Sequence, residues 1–238
     1  QPALAVLVLF SIDRKQLNNA RNILDSAEKL AVLVSPRLTV EALFAAKKLC
    51  DEKDGTLYYV PGEKSEPNKF PFAKLHNSAN AALLKKLGAS AWDNSEVECI
   101  LLVGAYLENK PLKSTKVIMM SNHDNGVEPD VHLPLTSPLR SEGSVIIDKG
   151  YLGFLKTNLP VSKDSTPHAI LSKLGGLKGF NDTTSIRKQL VENVPELSGL
   201  LSDATGRLVK TDLEPKMIDV APDCREVAFA RYCKKVGL

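Results

Sequence analysis

The sequence predicts an α/β protein of Rossmann-like type: a mostly parallel sheet covered by helices, with a helical extension at its C-terminal side. Three observations predict it. Short runs that are almost wholly apolar recur at residues 30–34, 57–60, 98–103 and 116–120, and amphipathic stretches with apolar spacings of three and four lie between several of them. After about residue 150 the strand-like runs give way to helix-like stretches separated by Gly- and Asn-rich turns. Strands that are apolar throughout are buried on both faces, as they are in a parallel sheet sandwiched by its crossover helices. The expected division is residues 1–150 for the Rossmann-like domain and 151–238 for the helical extension.

Residues 3–10 read as a buried strand, and residues 14–30 as a helix with Leu17, Ala20, Leu24 and Ala27 on one face. The run 30–34 is the next strand and ends at Ser35-Pro36-Arg37. Thr39 is placed to cap a helix whose Leu38, Ala42, Ala45 and Leu49 share a face, with Glu41, Lys47 and Lys48 expected to point outward. Asp54-Gly55 stops it, a strand follows at 57–60, and residues 61–71 form a proline-punctuated loop. A helix over about 77–87 ends at Gly88 in the position that favours a left-handed residue. Strands at 98–103 and 116–120 come next, the first leading into Gly104.

Residues 130–135 alternate and end on Pro134-Leu135, after which Arg140, Glu142 and Gly143 lead to a β-branched run at 145–147. Helices are expected at 165–174, 184–192 and 223–235, packing back on the sheet.

Composition narrows the function classes. Of the 238 residues, 43% are hydrophobic and 25% charged, as in a globular protein. The net charge of +3 is spread along the chain and only 5% of residues are aromatic, which argues against a dedicated nucleic-acid binder. No apolar run approaches the roughly 20 residues that span a bilayer. The run 3–10 also lacks the basic start and cleavage site of a signal peptide. The chain opens on Gln1 almost directly in a strand, and it reads as a piece of something larger.

Cys50, Cys99, Cys224 and Cys233 are far apart and form no C-x-x-C pair, so neither a zinc nor an iron-sulfur site is expected in this segment, and the thiols read as buried. The histidines, His76, His123, His132 and His168, stand in no recognisable catalytic constellation. His132 reads as a strand residue, and His123-Asp124 runs into the turn signal Asn125-Gly126. No glycine-rich phosphate-binding motif occurs. Ser35-Pro36-Arg37-Leu38-Thr39 could offer Arg37 and a helix start to an anion, or be a capped turn with a solvated arginine, and Gly104 would allow close approach of backbone at a strand end.

Four stretches together carry a family resemblance. They are LAVLVSPRLTVEALFAAKKL (30–49), ECILLVGAYL (98–107), KVIMMSNHDN (116–125) and PDVHLPLTSPLRSEGSVII (129–147). In order and spacing, over about residues 20–150, they resemble the molybdopterin oxidoreductase-like region in the large iron-sulfur subunit of respiratory complex I, the NADH:quinone oxidoreductase. The resemblance implies a Rossmann-like domain of molybdopterin oxidoreductase type, in which catalytic relatives hold a bis-pterin molybdenum cofactor at the carboxyl edge of the sheet. On that edge Arg37, Gly104, Arg140, Glu142 and Gly143 would be vestigial candidates. Asp148 stands where an asparagine is expected, and Lys149-Gly150-Tyr151 replaces the usual Glu-Gly-Arg.

Two pterin pyrophosphates would need converging glycines, backbone donors and arginines, which these loops do not supply. The expectation is therefore a non-catalytic structural domain without catalytic, cofactor or metal-binding residues in this segment. The resemblance further implies iron-sulfur clusters in a missing N-terminal part or a partner chain, and iron-sulfur and flavin subunits as partners. Its place would be the peripheral arm, on the matrix side of the mitochondrial inner membrane or the cytoplasmic face of a bacterial plasma membrane. The alternatives are a cofactor-binding fragment of an active molybdopterin oxidoreductase such as a formate dehydrogenase, and a free nucleotide-binding module suggested by the parallel sheet alone.

Overall fold

The computed structural model describes residues 12–60, 80–107, 109–122, 127–135, 142–147, 150–156, 165–180, 182–202 and 208–213. The expected strand at 3–10, the loop at 61–71, the first residues of the helix at 77–87 and the helix at 223–235 lie outside them. So do His76, His123, Arg140, Asp148, Lys149, Cys224 and Cys233.

The chain enters through α1 (Arg14–Ser26), whose first turn is capped by the Asp13 carboxylate accepting from the Lys15 N–H. The helix stops four residues short of its expected end because Leu30 is drawn into β1 (Leu30–Val34); the intervening Glu28 N–H instead bonds the Glu98 carboxylate at 2.8 Å. Thr39 caps α2 (Val40–Glu52) as expected, its hydroxyl accepting from the Ala42 N–H. Then follow β2 (Thr56–Tyr59), α3 (Ala81–Lys86), β3 (Ser90–Ala91), β4 (Cys99–Val103), β5 (Lys116–Ser121) and β6 (Val131–Pro134). Gly88 has the left-handed φ of +77° expected just after α3.

These six strands form one parallel sheet in the order β3-β2-β1-β4-β5-β6. The fold is thus α/β and Rossmann-like. The chain first builds outward from β1 through β2 to β3, then crosses to the other side of β1 and builds outward again. The direction of winding reverses between β1 and β4, and at the carboxyl ends of two such strands a crevice opens.

Every residue of β1 and β4 is buried, in keeping with their unbroken apolar sequences. Alternate residues serve opposite faces: Val32, Val34, Leu101 and Val103 join a large core with α1, α2, α4 and α5, while Ala31, Leu33, Ile100 and Leu102 join a second cluster with Trp92, Val117 and Met119.

Beyond β6 the structure adds a second sheet, of which the sequence suggested only the β-branched run at 145–147. β7 (Gly143–Ile147), β8 (Tyr151–Leu155) and β9 (Val209–Lys210) make a small antiparallel sheet in the order β7-β8-β9. β8 leaves little trace in the sequence because Gly153 interrupts its apolar pattern and no turn dipeptide of the usual kind precedes it. The expected helices are present as α4 (Pro167–Gly175) and α5 (Thr183–Asn193), followed by a 3-10 helix at Pro195–Leu201. Among the described residues the C-terminal part is therefore mixed helix and strand rather than wholly helical.

The expected packing on the sheet is made through α2, with Phe180 stacked on Phe44 at 5.7 Å between ring centroids. Arg21 of α1 donates from Nε to the Lys173 carbonyl at 2.8 Å, tying α1 to the last turn of α4. No helix among the described residues is long and apolar enough to cross a membrane.

Candidate functional site at the carboxyl edge of the sheet

The crevice position is built from the turn after β1 and the residues after β4. The Ser35 N–H donates to the Val103 carbonyl at 3.0 Å, and the Leu38 N–H closes a turn on the Ser35 carbonyl. The Arg37 N–H lies 3.3 Å from Ser35 Oγ. Gly104 adopts a left-handed φ of +63° and donates to the Met120 carbonyl at 2.9 Å. A Cβ on it would meet Leu38 Cδ2 at 3.4 Å and Ser35 Cβ at 3.6 Å. Arg37 and Gly104, singled out in sequence, thus belong to neighbouring turns across the switch point.

Gly143 comes to the same edge from the other side. At its φ of +153° a Cβ would stand 2.6 Å from Thr39 Cγ2 and 2.9 Å from Glu41 Oε2, so the backbone of β7 lies directly on the first turn of α2. Glu142 beside it is exposed. Arg140 lies outside the described residues.

The residue that organises this corner is one the sequence reading placed wrongly. Glu41 does not point outward: it is 0% exposed. Its carboxylate accepts from the Ser144 N–H at 2.8 Å, the Ser144 hydroxyl at 2.9 Å and Arg187 Nε at 2.7 Å. Asn80 makes a second tie, donating to the Leu38 carbonyl at 2.7 Å and accepting from the Ile146 N–H at 2.8 Å. The sequence did hold a signal for Glu41, since Val40, Ala42, Leu43, Phe44, Ala45 and Ala46 surround it with apolar residues on every side of the helix. Ser144, Asn80 and Arg187 carried none, because 103 and 146 residues separate Glu41 from Ser144 and Arg187.

Among the described residues the remaining titratable candidates offer no nucleophile with a base. His132 is exposed on β6, its Nε2 2.9 Å from the Ser121 carbonyl oxygen. His168 is buried at the start of α4 with Nε2 3.2 Å from Thr166 Oγ1, and burial lowers its pKa although Glu41 and Asp182 pull the other way. Burial pushes the thiols of Cys50 and Cys99 up to about 12, so neither is a thiolate near neutral pH. Among the described residues no three His, Cys, Asp or Glu side chains stand together as a metal site would require.

Fold and site together define a Rossmann-like α/β protein whose switch-point helix start is covered by the chain's own β7. No known protein family matches the sequence, and no curated protein does. Among solved structures, the chain is similar to a protein from Mycobacterium smegmatis described as a thiamin diphosphate-dependent enzyme, at 12% identity and a TM-score of 0.38. The match covers 73% of this chain and only 28% of that one. A likeness this distant carries no functional argument.

Proposed function

We propose that this chain is a non-catalytic structural domain of the large iron-sulfur subunit of respiratory complex I, supporting assembly around the electron-transfer chain in the peripheral arm. The reading rests on the four stretches at 30–49, 98–107, 116–125 and 129–147, whose order and spacing resemble that subunit's molybdopterin oxidoreductase-like region. The single structural observation in its favour is the contact of Gly143 with Thr39 and Glu41. A pyrophosphate at the start of α2 would need the space that β7 fills and the Ala42 N–H that the Thr39 hydroxyl already holds. A domain kept for packing would carry such a contact, and one that cradles two pterins at this edge would not.

The test is cross-linking and co-purification of the parent assembly. The expected partners are iron-sulfur and flavin subunits, with neither molybdenum, tungsten nor pterin assigned to this domain by elemental analysis and pterin fluorescence. An assembly lacking iron-sulfur and flavin subunits overturns the proposal. Stoichiometric molybdenum or tungsten with pterin bound to this domain would favour the active-oxidoreductase alternative.

A further inference from the structure

We propose that Glu41 is a built-in anion: a buried carboxylate in the first turn of α2 that gathers donors from β7 and α5, and so latches the β7–β8 hairpin and α5 onto α2. The geometry is that of a ligand site with its ligand covalently attached. A fully buried carboxylate sits in the first turn of α2, where the helix dipole favours negative charge, and it receives a backbone N–H, a hydroxyl and a guanidinium nitrogen. Those three donors come from β7 and α5, none from a neighbouring position in sequence.

Arg187 extends the link to the second strand of the hairpin. Its guanidinium carbon lies 5.2 Å from the centroid of the Phe154 ring on β8. The Glu41 charge also acts on His168, the second residue of α4, while α5, β7 and β8 are joined to α2 through Glu41 and Arg187. The backbone at Gly143 lies so close to Thr39 and Glu41 that a Cβ there would stand 2.9 Å from the carboxylate. Arg187 keeps 21% of its side chain exposed and Glu41 none, so loss of the pair would leave the carboxylate as the charge without water, and the latch opens as a unit.

Because the donors form a site, a small carboxylate from solution should replace the missing side chain. In the full 238-residue chain, Glu41→Ala should speed amide hydrogen exchange at Ser144 and Ile146 by roughly a hundredfold. Sodium formate should then slow it in a concentration-dependent way, compared with sodium chloride at the same ionic strength. Adding Arg187→Met to Glu41→Ala should abolish the formate effect. Should Glu41→Ala fail to fold, Glu41→Gln keeps the volume and an acceptor while removing the charge, and faster exchange at the same two amides is again expected. Exchange at the wild-type rate in a folded Glu41→Ala or Glu41→Gln chain overturns the proposal, as does a formate effect equal to that of chloride.

Discussion

Two glycines on the same sheet edge have different jobs, and substitution separates them. Gly143→Ala forces a Cβ to 2.6 Å from Thr39 Cγ2, against a short branched side chain that is itself held as the α2 cap. The expected loss is about 2–3 kcal/mol in urea denaturation, from overpacking combined with an unfavourable φ. Gly104→Ala meets only ordinary contacts at 3.4 Å and beyond, so its cost is confined to the left-handed backbone, about 1–2 kcal/mol. The reverse ranking would show that β7 does not lie against α2. The cysteines give a second check at this scale: with their thiols pushed up to about 12, Cys50 and Cys99 should stay unalkylated by iodoacetamide at pH 8 in the native chain and react fully once it is denatured. Peptide mass spectrometry reads this out site by site.

Among elements, the junction between β5 and the residue before β6 carries a testable pH dependence. Asp130 bonds the Val117 N–H and the ammonium of Lys116, with Lys110 at 3.6 Å. Partial burial would raise its pKa, but these donors outweigh burial and hold the carboxyl below its ordinary value. A carboxylate depressed in the folded state contributes stability above its unfolded pKa and loses it as pH falls through the folded one. Asp130→Asn should therefore be less stable than the parent at pH 7, with the gap closing below about pH 4 as the parent's carboxyl protonates. Chemical denaturation at a series of pH values checks it; a gap that persists at pH 2 would mean packing, not charge, is the cause. In the sheet core, Leu101→Ala deletes side-chain volume from a strand with 0% exposure and is expected to cost about 2–5 kcal/mol.

Over the whole molecule, one hydrophobic cluster runs from Ala20 in α1 through β1, α2 and β4 to Ile170, Phe180, Leu190 and Leu213. Residues on both sides of position 150 share it, and β7 and β8 pair across that position. The chain should accordingly unfold in one cooperative step. Trp92, the single tryptophan, lies in the cluster on the other face of the sheet with its ring edge-on to Tyr58 at 5.0 Å, which makes its fluorescence an independent probe. Its denaturation midpoint should coincide with that of far-ultraviolet circular dichroism. Two separated midpoints would indicate parts that fold independently.

Period and punctuation determined what the sequence alone could determine here. The runs at 30–34, 98–103 and 116–120 became β1, β4 and β5 because a strand buried on both faces has to be apolar at every position. Thr39 and Gly88 marked helix ends because capping and left-handed backbone are local chemistry. Arg37 and Gly104 were legible as candidates for the same reason, each standing at a strand end. The strand order, the two-residue β3 and the small antiparallel sheet were not legible, since they depend on pairing between distant segments and leave little trace in either one. Glu41 is the clearest case: its apolar neighbours in α2 hint at burial, but only the tertiary arrival of Ser144 and Arg187 supplies the hydrogen bonds and opposite charge that let a carboxylate be buried.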